Sequence, residues 1–126
     1  MPADPYKYFR IEARELLEGL NRGVLDLERG IHDGELVARL LRLAHTLKGA
    51  ARVVKQPAIA DAAHTVEEAL APHRGAPGPV PHGWAEEVLG YLDTIETRLT
   101  ALDRPVEERP PVVASASEEA FTTVRV

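Results

Sequence analysis

Two short runs carry residue types that can do chemistry together: LAHTLKGAARVV, residues 43–54, and AAHTVEEAL, residues 62–70. In the first, His45, Lys48, Gly49 and Arg52 recur at i, i+3, i+4 and i+7, so on a helix they share one face. A glycine within a polar helical strip works against helix propensity, and such conflicts concentrate at functional sites. In the second run, His64 and Glu67 stand at i, i+3 and also share a face. Antiparallel packing of the two segments brings His45 near His64 and Glu67. A carboxylate that accepts a hydrogen bond from imidazole Nδ1–H fixes the tautomer and leaves Nε2 bare and more basic. Free imidazole has a pKa of about 6.5, so near pH 7 it is mostly neutral and able to act as a nucleophile. Glu67 is the candidate for orienting His45.

Plainer readings stand beside this one. His45 and Lys48 can be solvated neighbours on a helix surface, and Glu67 a solvated charge like Glu68 beside it. Gly49 can mark a close helix–helix contact, Arg52 a solubilising charge, and His64 a structural hydrogen bond. His32, His73 and His82 are read as ordinary solvated or packed histidines. His45, His64 and Glu67 are also acceptable zinc ligands. That reading has no evident fourth ligand, and Lys48 would repel a cation.

The positioning elements read as helices. Aromatic residues are only 5% of the chain, alanine and leucine are abundant, and no Val/Ile run alternates over a strand's length. The first helix is expected from Asp4-Pro5 to about Arg29, with Asp4 as cap and Pro5 at the first helical position. Its stripe is Phe9, Ala13, Leu16, Leu20, Val24, Leu27 and Ile31. Gly19 and Gly23 within it each cost about 1 kcal/mol relative to alanine. Gly30 and the pair Asp33-Gly34 turn the chain. The second helix is expected over about 35–54, with Leu36, Leu40, Leu43, Leu47, Ala50 and Val54 as its stripe and Val37, Leu41, Ala44 and Ala51 as flanks. Pro57 opens a third helix, about 57–73, that faces Ile59, Ala62, Ala63, Val66, Ala69 and Leu70 inward. Four prolines and three glycines within PHRGAPGPVPHG, residues 72–83, dictate a loop. A fourth helix over about 84–103 carries Trp84, Val88, Leu92, Ile95, Leu99 and Leu102.

The expected fold is all-α: an antiparallel up-down four-helix bundle over residues 1–104. Residues 105–126, rich in proline and acidic side chains, read as a linker tail with room for a further short helix. A chain of 126 residues allows one compact domain. The net charge of −5 disfavours a nucleic-acid partner, because phosphate backbones need a basic face. No cysteine is present, which removes disulfides, thiolate catalysis and iron–sulfur ligation. No run approaches the roughly 20 apolar residues of a membrane span, and the N-terminus has no signal-like apolar stretch. The expectation is a cytoplasmic protein with no membrane partner.

HTLKGAAR, from His45, resembles the phosphorylation motif of histidine-containing phosphotransfer (HPt) domains. The set His45, Lys48, His64 and Glu67 is more similar still to the phosphotransfer domain of CheA-type chemotaxis histidine kinases. The resemblance covers about residues 5–104, including the opening YFRIEARELLEGLNRGVLDLE. Ala50 replaces a glycine often found after Gly49, and Arg52 stands where another is frequent. KGAAR in this form is similar to CheA-like and hybrid kinases of pathways beyond flagellar chemotaxis.

The resemblance implies that His45 is phosphorylated on Nε2, oriented by Glu67 and assisted by His64. Lys48 would supply positive charge to the phosphoryl oxygens, as lysine does at other phosphate sites. Gly49 would clear access for a partner, and Arg52 would extend a positive edge toward an acidic pocket. There is no G-x-x-x-x-G-K-[ST] loop and no kinase-type glycine-rich loop. No cofactor is therefore expected in this domain. ATP and Mg2+ belong to the implied partners, an ATP-binding kinase domain and the aspartate-bearing receiver domain of a response regulator. The isolated domain is expected to be a monomer and its parent a homodimeric histidine protein kinase. Thr123–Val126 resembles the start of a dimerisation segment, which makes the chain an expected N-terminal fragment of that parent. The competing class is a helical interaction module that is never phosphorylated.

Overall fold

The computed structural model describes residues 4–31, 34–75 and 79–103. The expected linker 105–126, its TVRV end and His32 lie outside the described residues. Four helices account for nearly all of the rest: α1 Lys7–Glu28, α2 Gly34–Val53, α3 Pro57–Leu70 and α4 Trp84–Leu102. Each helix packs on its two neighbours, α1 on α2 and α4, α3 on α2 and α4, and the backbones of neither diagonal pair approach closely. This is the antiparallel up-down bundle that the four apolar stripes require. No described helix is long and apolar enough to cross a membrane.

The core is aliphatic, and among the described residues no polar or charged residue is fully buried. Its seams lie slightly aside from the expected ones. In α1, Leu17 is buried and Leu16 only partly so, while Ile31 is exposed beyond the helix end. In α2, Ala44 and Ala51 sit at the centre with Leu40 and Leu47, and Leu43 and Ala50 move to the flank, as does Val54 just past the helix end. In α3, Ala60 is buried, whereas Ala62 and Ala69 lie on the flank. Small residues at the seam let neighbouring helices approach closely, and leucines then cover the margins.

The helix ends differ from expectation where local chemistry competes. Asp4 does not cap α1. Its carboxylate accepts the Tyr6 N–H at 3.0 Å and pairs with Arg10 at 2.6 Å, and the helix starts at Lys7. Arg10 also donates to the Leu102 carbonyl at 3.0 Å and meets Asp103 at 2.7 Å. Arg14 adds contacts to Asp103 and Glu96, so cations from α1 stand at the negative end of the α4 dipole. The third helix stops at Leu70 and tightens into a 3-10 turn over Ala71–His73, because Pro72 has no N–H to continue the α ladder. Trp84 ties α4 back to α3, its indole N–H donating to the Ala69 carbonyl at 3.0 Å.

The glycines of α1 have a packing reason. A Cβ on Gly23 would overlap the methyls of Leu40, which is fully buried, and one on Gly19 would lie 2.9 Å from a Leu43 methyl. Gly49 is the opposite case, since a Cβ there would meet nothing within 4 Å. It is no helix–helix contact. Gly23→Ala is therefore expected to destabilise by about 1 kcal/mol net, overpacking of about 1–3 kcal/mol exceeding a propensity gain of about 1 kcal/mol. Gly49→Ala is expected to stabilise by up to about 1 kcal/mol. Urea midpoints of the two variants, measured against the wild type, should move in opposite directions.

Candidate functional site

The α2–α3 connection sets the register of the site. The Gln56 N–H donates to the Ala51 carbonyl at 2.8 Å and the Lys55 N–H to that of Arg52 at 3.1 Å, while Lys55 takes a left-handed φ of 61°. This pair of bonds is a Schellman ending, which reverses the chain within three residues. His45 and Glu67 each lie eleven residues from Gln56, so the antiparallel hairpin places them side by side.

The imidazole Nδ1 of His45 stands 3.2 Å from Glu67 Oε2, within hydrogen-bond reach. In the neutral ring Nδ1–H donates to the carboxylate, which leaves Nε2 as the bare nitrogen. The His45 side chain is 72% exposed, whereas that of Glu67 is only 19% exposed. The acceptor is thus held in the helix interface and the ring faces solvent.

Lys48 does not share that exposure. It lies four residues after Ala44 and three before Ala51, both fully buried, so its stem runs along the edge of the core. Its Nζ reaches Glu67 Oε1 at 2.6 Å, and its side chain is 12% exposed. Oε1 is shielded from solvent and makes a close charge contact there rather than a well-aligned hydrogen bond. The expected free cation beside the ring is thus committed to the carboxylate behind it.

Burial pushes the Glu67 carboxyl up, but the adjacent Lys48 ammonium and the His45 ring outweigh it and hold the group below the usual carboxylate range. A carboxyl depressed by folding stabilises the fold above its unfolded pKa of about 4.3, and that contribution disappears as pH falls through the lower folded value. Glu67→Gln should therefore lose on the order of 1–2 kcal/mol relative to wild type at pH 7. The gap should narrow below about pH 4. Denaturant unfolding across that window measures it.

The remaining expected residues divide. His64 is half exposed, 3.8 Å from Glu67 Oε1 and 3.4 Å from Glu68 Oε2. It lies on the acidic flank of α3 and makes no hydrogen bond to the pair. Gly49 and Arg52 are exposed on α2, C-terminal to His45. Among the described residues no group of three or more His, Asp or Glu side chains is placed to hold a metal ion.

Residues that the spacing argument passed over lie on the other side of His45. An open groove is lined by Ala38, Leu41, Arg42, Thr46, Ala71 and Arg74 together with His45 and Glu67. Helical side chains lean toward the N-terminus, so His45 covers the turn before it rather than the one after. Arg42, at i−3 from His45, was the available sequence signal. Arg74 had none, because the 3-10 turn brings it there.

The Hpt domain family matches residues 6–105. Over 94 residues the chain is 29% identical to the sensor histidine kinase CheAY of Helicobacter pylori, covering 75% of this chain and 12% of that protein. It is 31% identical over 91 residues to the chemotaxis protein CheA of Bacillus subtilis, covering 72% and 14%. With CheA of Listeria monocytogenes it shares 39% identity over 59 residues, covering 47% and 10%. The matched stretches are thus a small part of these relatives' length. No solved structure matches at a comparable level. A four-helix bundle and a family match across most of the chain lead to one conclusion: this protein belongs to the Hpt domain family and is homologous to CheA chemotaxis proteins.

Proposed function

We propose that this chain is the phosphocarrier of a CheA-like two-component system, with His45 as the phosphorylated residue. An ATP-binding kinase domain supplies the phosphoryl group. The Nε2 lone pair forms the N–P bond as the bond to the leaving ADP oxygen breaks. The proton on Nδ1 stays, so the product ring is cationic and faces the Glu67 carboxylate. The group then passes to a receiver-domain aspartate, where the N–P bond breaks as the O–P bond forms, and His45 returns to its neutral state. Both transfers depend on positioning and charge more than on covalent help from the bundle.

One observation carries this reading: an exposed imidazole whose Nδ1 lies 3.2 Å from a part-buried carboxylate. Lys48, placed on the far oxygen of that carboxylate, serves as a positioning residue that keeps Glu67 ionised. The empty space over Gly49 supports close approach of a partner backbone. His64 has no step of its own in this scheme.

The test is incubation with a CheA-type kinase core and labelled ATP, followed by mapping of the label. Acid-labile, alkali-stable phosphate on the peptide containing His45 is the expected result. An unlabelled chain with a competent kinase, or label on another residue, would overturn the assignment. The first of these would favour an interaction module.

A further inference from the structure

We propose that Arg42 and Arg74 are the cations that hold the phosphoryl group at His45. The inference rests on the function proposed above and adds which side chains receive the incoming charge. Lys48 is 12% exposed with its ammonium on Glu67 Oε1, so its charge is directed at the carboxylate behind the ring. The ring leans instead over the preceding turn, into the groove that Arg42 and Arg74 line from α2 and from the turn beyond α3. Both arginines are exposed, and among the described residues neither guanidinium makes a hydrogen bond or ion pair. Two uncommitted guanidiniums lining the same groove as His45, in a protein of net charge −5, form a local positive site where the global charge would repel a phosphate. Guanidinium suits this task because its planar fork matches two phosphoryl oxygens at once. Arg52, two turns C-terminal to His45 on α2, is not part of this groove.

A small phosphodonor separates phosphoryl holding from protein docking. With phosphoramidate, the Nε2–P bond forms as the P–N bond of the donor breaks and ammonia leaves with the electron pair. No partner protein takes part. The variants are Arg42→Gln, Arg74→Gln and the double, with Arg98→Gln on the exposed face of α4 as a control for lost charge and His45→Gln as the site control. Uptake is followed by 31P NMR, with circular dichroism confirming the helices.

The double variant should take up phosphate about tenfold more slowly than wild type, with each single variant between. Arg98→Gln should match the wild type. Unchanged uptake in the double variant would overturn the proposal, as would equal slowing by Arg98→Gln, which would mean net charge alone. Slowing with a kinase core but not with phosphoramidate would make the arginines protein-docking residues and also overturn it. Phosphate appearing in His45→Gln at the wild-type rate would instead sink the functional reading itself, which keeps the two failures apart.

Discussion

His45→Gln should abolish phosphate uptake from a CheA-type kinase core while leaving the bundle folded. The fold should survive because the side chain is 72% exposed and contributes nothing to the aliphatic core. Surface substitutions of this kind usually change stability by less than about 0.5 kcal/mol. Glu67 keeps its contact with Lys48 at 2.6 Å, so neither charge is stranded by the substitution. What glutamine lacks is a ring nitrogen with a free lone pair. The loss should therefore be complete, not partial, and thermal unfolding should be nearly unchanged. Residual acid-labile phosphate in the variant would place the nucleophile elsewhere.

The helix pattern and the His45–Glu67 pairing were legible in the sequence for the same reason: both are periodic. Apolar spacing of three and four identifies four helices, and a tight α2–α3 turn makes residues equidistant from Gln56 into neighbours. What stayed hidden depends on rotation and on turns. Ala44 and Ala51 read as flanks because hydrophobic weight favours leucine, yet close packing put the small residues at the seam. That rotation carried Lys48 to the core edge and onto Glu67, where a face shared with His45 had suggested an exposed charge. Gly19 and Gly23 read as propensity costs because their justification is Leu43 and Leu40 on another helix. Arg74 reaches the groove only because Pro72 tightens the chain after α3.

Glu67→Gln should slow phosphorylation of His45 by about 10–100-fold, the range set by carboxylates that orient metal-bound histidines in the same way. The substitution keeps shape and an oxygen acceptor but removes the charge. Geometry alone predicts little change. Charge predicts a large one, because the ring becomes cationic when Nε2 is phosphorylated and the carboxylate is what faces it. One complication is Lys48, whose ammonium would be left part-buried and unpaired, with a stability cost of its own. The companion variant Glu67→Gln with Lys48→Met separates these effects, since methionine fills a similar space without charge. Stability should recover in the pair while the slow rate persists, and double-mutant comparison isolates the coupling. The 15N shifts of His45 report the tautomer independently of rate. If the paired variant instead regained wild-type uptake, Glu67 would serve only to neutralise Lys48, and the orienting role assigned to it would fall.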